Sequence, residues 1–248
     1  MNRADEVAAH LAAVRARVAV AAASAGRDAS GVRIVAVTKK LDADAVRDAY
    51  AAGQRDFGEN YVQEAVAKIS ALASEMPDAR WHLIGRLQSN KAAVAVRKFH
   101  LLHGIDSIHT VAAVSRATKG SFSDQPSTIS GTRDGAAELL LQVRLGGGGE
   151  GARSGVDPAH AADFLREAGA YSGVRFVGLM GVADPDQPAR PQFAALRGLS
   201  GRLAALGLAH APLGQLSMGM TGDFEDAVAE GATIVRIGAA IFGERRPG

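Results

Sequence analysis

The chain has 248 residues, 47% of them hydrophobic and 22% charged, enough to bury a full core without a metal or a disulfide. It contains no cysteine, which excludes thiol nucleophiles and cysteine-ligated zinc and fits the reducing cytoplasm. The net charge of +2 comes from dispersed basic residues with only 5% aromatics, so nucleic acid is not an expected partner.

In chain order, the N-terminus Met1-Asn-Arg-Ala-Asp-Glu-Val7 is acidic where a signal peptide would be basic. No apolar run approaches the roughly 18 residues of a membrane span, so a soluble protein with no membrane partner is expected. Residues 4–23 are alanine-rich, with Val7, Leu11, Val14 and Val18 at helical spacing and Arg15 and Arg17 on the other side, which predicts a leading helix. Short apolar runs then alternate with amphipathic stretches. Val32–Val37 precedes a helix over roughly 43–52, and Asp56-Phe57 precedes one from about 60 to 73. Further runs are Trp81–Gly85, His100–Ile105, Leu139–Val143, Val174–Met180, Gly214–Met218 and Thr233–Ile237. Eight candidate strands in 248 residues leave 31 residues per unit, about what one strand, one helix and two loops require.

The expected fold is therefore α/β: a single (β/α)8 TIM barrel over residues 1–248 with an extra N-terminal helix. An open doubly wound sheet is the alternative. Its glycine-rich fingerprint should follow the first strand, and Thr38-Lys-Lys-Leu-Asp42 contains no glycine. Two polar, turn-rich tracts, about 119–136 and 146–153, break the rhythm and read as flexible loops. The run Gly146–Gly149 is not followed by Gly-Lys-Ser/Thr, so it is not a Walker-type loop.

In a barrel, ligand groups sit where strands end, so the residues closing each apolar run are the ones to inspect. Lys39 closes the first run. Apolar neighbours there would favour a neutral amine able to attack an aldehyde, and the bland alternative is a solvated loop charge shared with Lys40. His100 and His103 are three apart and His109 is near, but nothing completes a metal-ligand spacing, so no metal is expected. His82 either faces the barrel or is a hydrogen-bonded core histidine. Near the C-terminus, Ser217 and Thr221 supply hydroxyls, against the alternative that they cap the helix that includes Phe224–Ala229, for which Asp223 is also available. Arg236 lies between Val235 and Ile237, which puts it on one face with Ile234 and Gly238, the barrel interior. An inward arginine needs a partner, either a buried carboxylate such as Asp106 or a ligand. Gly238, Ala239 and Ala240 then offer backbone N–H groups with little side-chain bulk, a common phosphate arrangement after the last barrel strands.

Three segments, Phe57-Gly-Glu-Asn-Tyr-Val-Gln-Glu64, Trp81-His-Leu-Ile-Gly-Arg-Leu-Gln-Ser-Asn-Lys91 and Ser217-Met-Gly-Met-Thr-Gly-Asp-Phe-Glu-Asp226 continuing to Gly238, occur in this order and resemble the pyridoxal phosphate homeostasis protein family. That family is related to the N-terminal barrel of alanine racemase. The resemblance spans roughly 32–245 and is weak across 112–138. It implies a fold-type III pyridoxal 5'-phosphate (PLP) protein in which Lys39 forms the internal aldimine and Asn60 lies close to the cofactor. Ser217 and Thr221, with the backbone at Gly238 and Ala239, would form the phosphate cup, and Arg236 would face the pyridine nitrogen. Three positions depart from the family pattern. Lys40 is a second candidate for the aldimine, Arg153-Ser-Gly155 stands where many members have Lys-Ser/Thr-Gly, and Ala239 replaces a common threonine.

An arginine at the pyridine nitrogen keeps it unprotonated, which supports carbanions poorly. Racemases of this type add a tyrosine base from a further β-domain, and with ten residues after Gly238 no such domain is expected here. The resemblance thus implies a PLP-binding protein of intracellular vitamin B6 and amino-acid homeostasis with no catalytic residues and little or no catalysis. It is expected to be a monomer in the cytoplasm, with PLP-dependent apo-enzymes as recipients. The alternatives are a PLP-dependent amino-acid racemase or related enzyme, and a barrel for another phosphorylated metabolite with Lys39 as a salt-bridging residue.

Overall fold

A computed structural model describes residues 2–121, 132–133, 135–146 and 154–243. The first helix, α1 (Arg3–Ser24), starts where the Asn2 side chain accepts a hydrogen bond from the Asp5 N–H at 2.9 Å. Asp5 and Glu6 then occupy the first turn, where the helix dipole favours negative charge. By length and composition α1 is long and apolar enough to cross a membrane, which corrects the expectation that no segment is. Its many alanines raise its apolarity without forming an uninterrupted run. One stripe, Val7, Leu11, Val14, Val18 and Ala22, is buried, and the helix packs on α2 (Ala43–Ala51), α8 (Phe224–Ala229) and α9 (Ala239–Phe242).

Eight parallel strands close into a barrel. They are β1 (Arg33–Val37), β2 (Asp56–Glu59), β3 (Arg80–Arg86), β4 (Leu101–Ile105), β6 (Ala136–Gln142), β7 (Val174–Met180), β8 (Gln215–Ser217) and β9 (Ile234–Ile237). The β4–β6 pairing carries the sheet past the short β5 (Thr132–Arg133), and β9 pairs back on β1, so the ring has no open edge. Each expected strand coincides with one of these eight. The 119–136 tract is less loop-like than expected. Its first residues belong to α5 (Ile108–Ser121), and β5 pairs antiparallel with β6, Arg133 opposite Ala136. Residues 122–131 and 134 of that tract, and 147–153 of the second, lie outside the described residues.

The remaining described helices, α3 (Val62–Leu72), α4 (Ala92–Lys98), α6 (Ala161–Ala168) and α7 (Ala189–Ala204), complete the outer layer. Phe57, Leu83, Leu139, Phe176, Phe193 and Phe224 are fully buried in the large apolar core. Each such side chain contributes about 1.5–3 kcal/mol by leaving water. A second, smaller group, Val35, Leu101, Leu140, Val177, Met180 and Ile234, packs separately.

Candidate functional site

The seven residues expected at the site come from four neighbouring strands, in the order β2, β1, β9, β8, and from the loops at their C-terminal ends. Lys39 follows β1 and is half-buried. The residue before it is pinned on three sides. The Thr38 N–H donates to the Gly58 carbonyl at 3.0 Å, its hydroxyl to Glu59 Oε1 at 2.6 Å, and its carbonyl accepts from Lys68 Nζ at 2.8 Å. Lys40, the rival amine, is exposed, has φ of +60°, and gives its N–H to the Glu64 carboxylate.

Under this turn Lys68 and Glu59 form a buried ion pair at 2.6 Å. Burial raises the Glu59 carboxyl above its usual range, with Lys68 and Thr38 only partly opposing it. The sequence reading missed this pair. Its signal was available, because Lys68 sits on the buried face of α3 with Ala65, Ile69 and Leu72.

Asn60 follows β2 directly and is half-buried. Gly85 of β3 packs directly on its backbone, and a Cβ at Gly85 would fall 2.3 Å from the Asn60 carbonyl oxygen. Beside Asn60 a cleft of about 630 Å³ opens between the loops after β2, β3 and β4, with Gln63, Arg86, Ser89 and His109 among its lining residues.

Arg236 points into the barrel, as alternation predicted, and is 4% exposed. Its Nη1 donates to Ser217 Oγ at 2.7 Å and its Nη2 to the Gly181 carbonyl at 3.0 Å. Among the described residues it makes no salt bridge. Asp106, the carboxylate considered as its structural partner, lies 3.5 Å from Arg86 instead. Burial pulls the guanidinium down to about 10, with Asp223 opposing, so it remains charged at neutral pH.

Ser217 is fully buried, and its hydroxyl also lies 2.9 Å from His103 Nδ1. Thr221 does not cap α8. Its Oγ1 accepts from the Ala240 N–H at 3.4 Å, at the opening of α9, while Asp223 Oδ1 accepts from the Met220 N–H at 2.6 Å. The loop carrying Thr221 turns at Gly219, where φ is +90° and a Cβ would meet the Ala227 side chain at 2.5 Å. Gly238 lies against Val37 at the end of β1, and Ala239 is exposed. Arg153 lies outside the described residues.

A half-buried lysine, a buried donor-only arginine without a carboxylate, and a hydroxyl with small residues at a turn fit a ligand that is both an aldehyde and a phosphate. Among the described residues no group of three or more His, Asp or Glu side chains is placed to hold a metal ion.

The alanine racemase N-terminal domain family matches residues 9–246. A pyridoxal phosphate homeostasis protein of Pseudomonas aeruginosa is 38% identical over 239 residues, covering 96% of each chain. The structure of PipY from Synechococcus elongatus PCC7942 with PLP bound is 36% identical and superimposes with a TM-score of 0.78, covering 96% of this chain and 100% of that one. Alanine racemase from Corynebacterium glutamicum, 16% identical with a TM-score of 0.65, shares the fold, the match covering 97% of this chain and 61% of that one. The chain therefore belongs to the alanine racemase N-terminal domain family, among its pyridoxal phosphate homeostasis proteins.

Proposed function

We propose that this protein binds pyridoxal 5'-phosphate and serves intracellular vitamin B6 and amino-acid homeostasis, holding the cofactor through Lys39 with little or no catalysis. The observation that carries this reading is Arg236, a buried cation whose two observed bonds go to neutral oxygens. PLP supplies an aldehyde for a lysine amine and a ring that withdraws electrons strongly only when its nitrogen is protonated. A guanidinium offers hydrogens and no lone pair, so Arg236 favours an unprotonated acceptor opposite it and weakens that withdrawal. Thr221 and the small residues 238–239 take the phosphate, and Asn60 flanks the ring. Lys39, held by the pinned Thr38, presents the amine.

Low catalysis agrees with the placement of two tyrosines. Tyr50 lies in the last turn of α2, at the end of the barrel away from Lys39, and gives its hydroxyl to Asp78, while Tyr61 is 60% exposed at the start of α3. In this reading the protein works as a cytoplasmic monomer, and PLP-dependent apo-enzymes receive its cofactor. The test is a near-ultraviolet and visible spectrum of the PLP-loaded protein before and after borohydride, with turnover measured on a panel of D- and L-amino acids. A reducible band with negligible turnover is expected. Racemisation at rates typical of enzymes would favour the racemase alternative.

A further inference from the structure

Four hydrogen bonds run end to end through the inside of the barrel. Asp56 Oδ1 lies 2.9 Å from His82 Nε2, and His82 Nδ1 lies 3.0 Å from His103 Nε2. His103 Nδ1 lies 2.9 Å from Ser217 Oγ, which accepts from Arg236 Nη1 at 2.7 Å. All five side chains belong to residues no more than 4% exposed. Proton positions along such a chain follow from what each group can donate.

Asp56 receives two hydrogen bonds from Arg80, at 2.9 and 2.6 Å, with Arg33 at 3.6 Å. Burial disfavours its charge, but the bonds from His82 and Arg80 prevail and hold it at about 2, so it is ionised and only accepts. His82 Nε2 must then carry a hydrogen. A neutral imidazole donates at one nitrogen and accepts at the other, so His82 Nδ1 accepts and His103 Nε2 donates. His103 Nδ1 accepts in turn, and its donor is the Ser217 hydroxyl. Arg236, which can only donate, closes the chain on the serine's lone pair.

Running the chain the other way would require a protonated Asp56. Protonating His82 would set two N–H groups face to face, or force His103 into the Nδ1–H tautomer and leave the Ser217 hydroxyl without its acceptor. Protonating His103 would place a cation beside Arg236 and strip the Ser217 hydroxyl of its acceptor. Burial, together with the charges of Arg33, Arg80 and Arg236, lowers both histidines, and Asp56 opposes this only at His82.

We propose that Asp56, His82, His103 and Ser217 are positioning residues for Arg236: a chain of one fixed polarity that sets the rotation of the guanidinium and leaves three of its five N–H donors for a ligand acceptor. The proposal rests on the reading that Arg236 meets the cofactor ring, and it changes the role of Ser217. Its single hydroxyl hydrogen is committed to His103, and a phosphate dianion offers only lone pairs. Ser217 therefore acts through Arg236, and the phosphate is left to Thr221 and the small residues after β9.

The test has a ligand-free arm. Long-range 1H–15N spectra of the histidine-labelled wild-type protein at pH 7 should show His82 and His103 as neutral Nε2–H tautomers. A hydrogen on His103 Nδ1, or a charged His82 or His103 at pH 7, overturns the chain. In the second arm, Ser217→Ala should weaken retention of PLP and of pyridoxal lacking the phosphate by the same factor, about tenfold, and should shift the His103 Nδ1 resonance. A loss confined to the phosphorylated ligand puts Ser217 on the phosphate and overturns its positioning role. Should Ser217→Ala not fold, the wild-type spectra still decide. A wild-type protein that binds no PLP would sink the proposed function, while the spectra would separately confirm or refute the proton arrangement.

Discussion

Thr221 brings a hydroxyl to the opening of α9, where it already meets the Ala240 N–H. Replacing it with valine keeps the shape and removes the hydroxyl. Thr221→Val should therefore weaken PLP retention by about 1.5–3 kcal/mol, the range for a hydrogen bond to a charged group, and leave pyridoxal without phosphate unaffected. Equilibrium dialysis with both ligands checks this, and equal losses would show the hydroxyl to be structural. Single residues were legible in the sequence where a local rule reached them. Lys39 closes a strand, and alternation turns Arg236 inward. The hydroxyl of Ser217 was not legible in the same way, because its partner His103 is 114 residues distant and meets it only once β4 and β8 stand in one ring.

At the level of elements, α1 is the piece added to the barrel, and Leu11, 0% exposed, is at the centre of its buried stripe. Leu11→Ala should cost about 2–5 kcal/mol, read as a fall in Tm of about 2–4 °C for each kcal/mol, with the spectrum of bound PLP unchanged. A loss of ligand binding at temperatures where the variant is folded would tie α1 to the site. The eight barrel strands could be read from apolar runs bounded by turns, and α1 from its four-residue spacing. β5 could not, since two residues carry no hydrophobic period. The apolarity of α1 was underestimated for a related reason. Alanine contributes to overall hydropathy but not to a contiguous run of large side chains, so only the folded packing shows which face is covered.

For the whole molecule, the buried histidines set the response to acid. Burial lowers His82 and His103 and takes His100 to about 4. As pH falls through about 6.5 the unfolded chain takes up protons at these residues ahead of the folded chain. Stability is thus fullest above about 6.5 and falls with pH, by up to about 1.4 kcal/mol per unit for each histidine, continuing to about 4 for His100. Glu59, raised by burial, acts in the opposite sense, but it is one group against three. Urea unfolding of the ligand-free protein between pH 8 and 4 should show this decline, and a flat profile from 6.5 to 5 would contradict it. Strand number and spacing gave away the barrel, whereas its polar interior depends on which strands become neighbours and in what register. The central claim is that Lys39 is the cofactor lysine, and peptide mass mapping of the PLP-loaded, borohydride-reduced protein tests it most directly. One reduced adduct is expected, on the peptide carrying Lys39 and absent in a folded Lys39→Ala variant. An adduct on Lys40 or Lys91, or one that persists in Lys39→Ala, would contradict it.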